Sequence, residues 1–240
     1  MRGARAHDER EASASMDPQP QFELYAFWRT SATYRVRVAL NLKGLAAQER
    51  FVNMDAGEQR GDAFLKLNPM AAIPALVDNR AGASHAPLTQ SLAILEFLDE
   101  IHPSPPLLPS DPHGRARVRS LALMLAADTH PLITPRVKGY LTGAGKFDDA
   151  MWRAWQTHWF TIGLQAFEKR LASEAATGLH CHGDALTSAD ICLASIIIVM
   201  RVFKIEVAGI PTVDRIMALC EGHPAFAKAA PSLQEGAPKP

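Results

Sequence analysis

The segment from residue 22 to residue 40 constrains the fold most, because an apolar strand there leads directly into a turn that opens a helix. Thr30 to Thr33 form the turn. Apolar side chains from Val36 to Leu40 then recur at helical spacing, whereas Arg35 and Arg37 take the other face. The first turn of a helix carries unpaired backbone N–H groups and the positive end of the helix dipole. The sequence therefore predicts a position at this turn where an anion is favoured.

The hydroxyl groups of this turn have two alternative roles. Ser and Thr side chains at a helix start commonly cap the helix by accepting a backbone N–H hydrogen bond. The same hydroxyl can instead donate to a bound thiolate, which lowers the pKa of the thiol and makes a nucleophile at neutral pH. Both Thr30 and Ser31 are candidates for either role, and the residues alone leave the choice open.

Composition and charge narrow the classes of function. The chain has 240 residues, 48% of them hydrophobic, and its 25 basic and 25 acidic residues give a formal net charge of zero. This balance argues against nucleic acid and membrane surfaces as partners. The chain has three cysteines at unpaired spacings: Cys181, Cys192 and Cys220. Sparse cysteines suit a reducing compartment, so we expect a cytoplasmic protein.

The remaining pattern predicts two folded domains. The predicted elements are a helix over 34–44, a strand over 48–53, a short helix over 61–66, strands over 73–77 and 83–88, and a helix that opens at Thr89. A proline-rich linker follows, and the apolar faces beyond it predict helices only. We expect a disordered extension over residues 1–20, an α+β domain over 21–104 and an all-helical domain over 105–240.

Several blocks resemble zeta-class glutathione transferases, in particular the bacterial maleylacetoacetate and maleylpyruvate isomerases. The blocks, in family order, are YAFWRTSATYRVRVALNLKGL (25–45), LNPMAAIPALVD (67–78), QSLAILEFLDE (90–100), DTHPLITPRVKGYL (128–141), HCHGDALTSADICL (180–193) and PTVDRIMALCEGHPAF (211–226). The resemblance implies a thioredoxin-like N-terminal domain with a four-stranded mixed sheet, followed by an all-α C-terminal domain. It also implies glutathione as cofactor and a homodimer, which extended apolar helix faces also favour.

The resemblance also implies which residues bind glutathione. They are Ser31, Ile73, Pro74, Gln90 and Ser91. Ser31 or Thr30 would contact the sulfur. Ile73, before a cis proline, would offer its backbone groups to the cysteinyl part, and Gln90 and Ser91 would hold the γ-glutamyl carboxylate at a helix start.

The implied activity is glutathione-dependent cis–trans isomerisation of maleylacetoacetate or a similar cis-enoic keto acid, by reversible thiolate addition to the double bond. The catalytic candidates are Ser31, Thr30, Arg29 and His130, and the candidates for binding a small acidic substrate are Arg29, Arg136 and Arg201. Val202 stands where the family has an arginine. Arg201 is its neighbour, and a shift of one residue turns a helical side chain by about 100°.

Two alternatives stay open. A transferase that conjugates or dehalogenates small electrophiles would use the same glutathione site with a more apolar pocket, which Met200 and Val202 would suit. A non-catalytic glutathione-transferase-like binding module is disfavoured, because the hydroxyl, proline and amide positions of the glutathione site remain.

Two further motifs have structural interpretations. His180-Cys181-His182 lacks the second cluster that a zinc site needs, so we expect no metal there. Thr187 and Asp190 have the spacing of a helix capping pair ahead of an apolar run.

Overall fold

The computed structural model describes residues 20–80 and 85–239. The predicted disordered extension therefore lies, apart from Pro20, outside the described residues. Among the described residues, no helix is both long enough and apolar enough to cross a membrane.

The N-terminal part is built on a four-stranded mixed sheet with the strand order β2-β1-β3-β4. The strands are β1 (Phe22–Ala26), β2 (Ala47–Phe51), β3 (Ala75–Asp78) and β4 (Leu88–Thr89). β1 pairs in parallel with β2 and antiparallel with β3, and β3 pairs antiparallel with β4. A parallel pair needs a crossover, and the helix predicted from the first segment supplies it. The predicted thioredoxin-like sheet is confirmed.

Helices cover the sheet and make up most of the C-terminal part. The helices are α1 (Ser31–Lys43), α2 (Asp62–Leu65), α3 (Ser91–Ile101), α4 (Pro112–Leu123), α5 (Pro135–Gly143), α6 (Asp149–Ser173), α7 (Ser188–Val202), α8 (Pro211–Gly222) and α9 (Pro224–Lys228). After α3, the described residues form helices and loops with one isolated β-bridge, between Thr177 and Gly183. The division into domains between residues 104 and 105 stays a prediction.

Most predicted elements agree with the structure to within two residues at each end, and two boundaries differ by more. α1 begins at Ser31 rather than at residue 34, because the Thr30 side chain already caps the helix. The strand predicted over 83–88 is reduced to β4. Residues 81–84 lie outside the described residues, and Pro87, directly before β4, has no N–H to donate to a ladder.

α1 is buried on every side, which corrects the two-faced helix predicted from its sequence. All residues from Ser31 to Leu40 are buried, including Arg35 and Arg37. Helices α3, α7 and α9 pack around α1, so the predicted polar face meets protein instead of water. Arg37 forms a bidentate ion pair with Glu49 of β2, at 2.7 and 2.8 Å.

The predicted capping pair of α7 is confirmed. Asp190 is fully buried, and its carboxylate accepts hydrogen bonds from the backbone N–H and the hydroxyl of Thr187, both at 2.8 Å. It also accepts the backbone N–H of Cys181 at 2.8 Å. Asp190 therefore ties the start of α7, a largely buried helix, to the loop before it.

Replacement of this carboxylate should destabilise the whole molecule. We expect Asp190→Ala to lower the free energy of unfolding by about 3 kcal/mol, because it leaves buried donors without their charged acceptor. Urea denaturation measures the change. Asp148→Ala is the matched control, since Asp148 caps α6 at an exposed position by accepting the Met151 N–H, and its loss should cost about 1 kcal/mol. Equal losses in the two variants would contradict this interpretation.

Candidate active site

A cleft of about 280 Å³ lies between the turn before α1 and the helices α5, α6 and α7. Its polar lining residues are Arg29, Thr30, Ser31, Asp55, His130, Thr134, Lys138 and Gln156. Its apolar lining includes Phe27, Met54, Ile133, Trp152, Val199 and Phe203. The structure therefore brings the predicted candidates Arg29, Thr30, Ser31 and His130 together around one cavity.

The hydroxyls of Thr30 and Ser31, the two candidates in the turn, have different environments. Thr30 Oγ1 accepts the backbone N–H of Thr33 at 3.3 Å and donates to Thr33 Oγ1 at 2.6 Å, so it is the helix cap. Ser31 Oγ is buried at the first helical position and has no hydrogen-bond partner among the described residues. A buried hydroxyl without a partner costs stability, and a bound acceptor would restore the missing interaction. Ser31, unlike Thr30, therefore has a hydroxyl that is free for a bound acceptor.

The sheet register places the three predicted glutathione-binding segments at one end of the strands. β1 ends next to the turn before α1, and its residue Tyr25 lies opposite Ala75, directly after Pro74. Ala75 in turn lies opposite Thr89, directly before Gln90. The Ile73–Pro74 peptide bond is cis, as the resemblance implies. Antiparallel pairing thus brings the turn, the proline and the start of α3 to the same end of the sheet.

The start of α3 has two features that favour an anion. Gln90 is exposed and precedes the helix with a φ of 66°, and its side chain does not cap the helix, so it leaves the N-terminal N–H groups uncapped. Ser91 is buried, and its Oγ accepts a hydrogen bond at 2.9 Å from Nε of Arg35. Arg35 is itself buried, and no described carboxylate lies within salt-bridge distance of it. Its uncompensated charge adds to the positive helix end.

His130 lines the cleft as a neutral imidazole. Burial, with a further contribution from the charge of Arg35, lowers the pKa of His130 to about 3. At neutral pH the ring therefore has one N–H donor and one acceptor nitrogen. A π-helical segment, Met124–Thr129, leads into His130, and α6 approaches this segment closely at Gly163. An added Cβ at Gly163 would come within 2.3 Å of Thr129 Oγ1, so the close packing that positions His130 requires glycine.

Among the described residues, two cations line the cleft: Arg29, which was predicted, and Lys138, which was not. Arg29 forms an ion pair with Asp55 and lies 5.2 Å from the centroids of the Phe27 and Trp28 rings. Lys138, at the rim, is 3.9 Å from Asp149, whose side chain is fully exposed. An ion pair this open is weak, so Lys138 is the cation more readily available to an anionic ligand.

The other two predicted substrate arginines do not line the cleft. Arg136 is exposed and donates to the carbonyl of Met70 at 2.9 Å, whereas Lys138, two positions later on α5, lines the cleft. Arg201 forms an exposed ion pair with Glu221. Val199 and Phe203 flank Arg201 at two positions on either side and line the cleft. Two helical positions differ by about 200°, which turns both arginines away.

Three further cleft residues carried no recognisable signal in the sequence. Lys138 and Trp152 lie just inside the first turns of α5 and α6, and Gln156 lies one turn further along α6, so none of them belongs to a capping or turn motif. Trp152 and Gln156 are four positions apart on α6 and so share one face. Only the packing of α6 in the folded molecule shows that this face lines the cleft.

One cluster outside the cleft has the composition of a metal site. Potential ligand atoms of His180, Asp190 and Cys220 lie within 4.8 Å of one another. However, the Asp190 carboxylate already accepts three hydrogen bonds. Burial, with the Asp190 charge, raises the pKa of the Cys220 thiol, which keeps it protonated. The cluster is explained by helix capping, and the expectation of no metal at residues 180–182 stays a prediction.

Comparison with known proteins agrees with this geometry. Residues 20–100 match the family described as glutathione S-transferase, N-terminal domain. The probable maleylacetoacetate isomerase of Vibrio cholerae is 40% identical over 216 residues, which cover 89% of this chain and 97% of that protein. The maleylpyruvate isomerase of a Ralstonia species is 38% identical and covers 88% of this chain and 98% of its own length.

A solved structure extends the similarity to three dimensions. The maleylacetoacetate isomerase of Methylobacterium extorquens, with bound malonate and glutathione, superimposes with a TM-score of 0.86 at 45% identity, covering 90% of this chain and 99% of that one. The holo structure of a zeta-class maleylpyruvate isomerase superimposes with a TM-score of 0.85 at 37% identity, covering 90% and 100%. The similarity spans nearly the whole length of these proteins, so this chain belongs to the zeta-class glutathione transferase family that includes the maleylacetoacetate and maleylpyruvate isomerases.

Proposed function

We propose that this protein is a glutathione-dependent cis–trans isomerase of maleylacetoacetate or a similar small cis-enoic keto acid. The observation that carries the proposal is the buried, unpartnered hydroxyl of Ser31 at the start of α1, in a cleft that Arg29 and Lys138 also line. A thiolate suits the Ser31 hydroxyl at the positive end of α1, and a carboxylate suits the charges of Arg29 and Lys138. The Methylobacterium relative, which binds malonate together with glutathione, supports the same pairing of ligands.

The residues at this end of the sheet fit glutathione. Ser31 would donate to the sulfur, Ile73 would offer its backbone next to Pro74, and Gln90 and Ser91 would hold the γ-glutamyl carboxylate. When bound, glutathione supplies a thiolate that can add to a double bond and leave again, which permits rotation about that bond. The protein lowers the thiol pKa through the Ser31 hydroxyl and the positive end of α1.

The opposite side of the cleft would hold the acidic substrate. Arg29 and Lys138 bind its carboxylate, and their charge stabilises negative charge that develops during the reaction. His130 is uncharged at neutral pH, so it donates or accepts a hydrogen bond rather than contributing a fixed charge. Arg136 and Arg201 are left out of the proposal because each makes its contact outside the cleft.

A conjugating transferase is the second candidate. The observation in its favour is the apolar wall of Trp152, Val199 and Phe203, which would accept a neutral electrophile. The free Ser31 hydroxyl argues against a non-catalytic binding module, because a protein that only binds glutathione has no need to activate its sulfur. Three free, buried cysteines support a cytoplasmic location.

Ser31→Ala should raise the pKa of enzyme-bound glutathione by about one to two units, since a hydrogen bond to a charged group contributes about 1.5 to 3 kcal/mol. Ultraviolet titration of the bound thiolate measures this pKa. Thr30→Ala is the matched control. It removes the helix cap and should lower stability, while the thiol pKa changes little. An unchanged pKa in Ser31→Ala, or a larger shift in Thr30→Ala, would contradict the assignment.

The wild-type protein should isomerise maleylacetone only when glutathione is present. Arg29→Met should lower kcat/KM for this reaction by about ten- to a hundredfold, the loss of one charge-assisted carboxylate contact. Arg201→Met is the control, and it should leave kcat/KM unchanged because Arg201 contacts Glu221 at the surface.

Conjugation of 1-chloro-2,4-dinitrobenzene separates the two candidate functions. Arg29→Met should leave this reaction of a neutral electrophile largely intact. Equal damage to both reactions would show that Arg29 supports glutathione or the fold. A wild-type protein that conjugates but never isomerises would make the transferase the better description.

We also propose a homodimer. A groove of about 150 Å³ between α3 and α4 is lined by apolar side chains, among them Leu92, Ala122 and Leu123. Leu123 is 46% exposed, and the Glu96–Arg119 ion pair borders the groove. A second copy would cover this surface. Light scattering should give twice the chain mass at micromolar concentration, and Leu123→Glu should shift the mass toward a monomer. A wild-type monomer would contradict the proposal.

A further inference from the structure

Gln156 is a buried polar residue in the wall of the cleft that nothing in the fold explains. Its side chain comes from the middle of α6 and is 4% exposed. Its Nε2 atom is buried and has no hydrogen-bond partner among the described residues. Trp152, one turn earlier on the same helix face, also lines the cleft. The amide therefore lies in a largely apolar wall without the partner that buried amides normally have.

An unpartnered buried amide costs stability, so a protein that keeps one commonly uses it for a ligand. The same cleft includes a second such group, the Ser31 hydroxyl. The two come from different parts of the fold, since Ser31 begins α1 and Gln156 lies in α6. One cavity therefore presents two unsatisfied hydrogen-bonding groups, and the proposed reaction brings two ligands into it.

We propose that Gln156 binds an oxygen atom of the acidic substrate through its side-chain amide. This inference rests on the proposed function, in which Ser31 serves the sulfur. The substrate's carboxylate and keto oxygens are acceptors, and the amide of glutamine is a neutral donor that needs an acceptor. Arg29 and Lys138 supply the long-range attraction for an anion, whereas Gln156 fixes the position of one oxygen inside the cleft. Gln156 is thereby a specificity-determining residue that favours oxygen-bearing substrates over neutral apolar electrophiles.

The test replaces Gln156 by leucine, which has a similar size and no hydrogen-bonding group. Calorimetric titration of the glutathione-loaded protein with malonate should show a Kd weakened by about tenfold or more, as expected for one lost hydrogen bond to a charged acceptor. The kcat/KM for maleylacetone should fall by a similar factor. The affinity for glutathione should stay within about twofold, because Ser31 and the proposed glutathione-binding residues at the end of the sheet are unchanged.

Thermal unfolding supplies a readout that a structural role would move in the opposite direction. Gln156→Leu should raise the Tm of the ligand-free protein by a few degrees, roughly 2 to 4 °C, because it removes a buried group without a partner. Gln59→Leu is the matched control. Gln59 is also buried, and its Oε1 also lacks a partner among the described residues, but it does not line the cleft. This variant should leave malonate affinity and kcat/KM unchanged.

The outcomes separate this inference from the proposed function. Unchanged malonate affinity and unchanged kcat/KM in Gln156→Leu would overturn the inference. A lower Tm together with weaker glutathione binding would also overturn it, by showing a structural role. If the wild-type protein fails to isomerise maleylacetone but Gln156→Leu still weakens malonate binding, the proposed reaction is wrong and the role of Gln156 stands. A wild-type protein that binds no malonate would overturn the inference as well.

Discussion

The buried guanidinium of Arg35 is the interaction on which the rest of the structure depends. It projects from α1 and donates to Ser91 Oγ of α3 at 2.9 Å and to Ser195 Oγ of α7 at 3.1 Å. One side chain thus joins the sheet-bearing part of the chain to the helical part. Because no described carboxylate neutralises it, its charge acts on the surroundings. It helps to keep His130 neutral, and it favours an anion at the start of α3.

At the turn that opens α1, the hydroxyls of Thr30 and Ser31 have different environments. Thr30 satisfies the backbone N–H of Thr33 and holds the helix start in place. Ser31 is thereby left without a partner, at the point where the helix dipole is most positive. The Gln156 amide nitrogen, in another wall of the cleft, is likewise buried without a partner among the described residues. The fold gives up some stability at both positions, which is the usual cost of a site that is prepared for its ligands.

Much of this arrangement could be predicted from the sequence, and the failures have a common cause. The pattern of residues 22–40 predicted the strand, the turn and the helix start at which Ser31 lies, because local pattern acts over a few residues. The direction in which a helical side chain points depends on packing with distant elements. The sequence therefore favours Arg136 where the structure places Lys138 in the cleft, and it gives no signal for Gln156. The sequence predicts a solvent-facing Arg35, because its partner Ser195 lies on α7, far along the chain, and meets it only in the folded molecule.

The central claim is that Ser31 serves the sulfur and that the far side of the cleft serves an acidic ligand. A crystal structure of the protein with glutathione and malonate tests this most directly. We predict the sulfur within about 3.5 Å of Ser31 Oγ, and a malonate oxygen within about 3.2 Å of the Gln156 amide. Thr30 should keep its hydrogen bond to the Thr33 N–H. A sulfur held by Thr30 while Ser31 stays unpartnered, or malonate bound at Arg136 or Arg201 outside the cleft, would contradict the account.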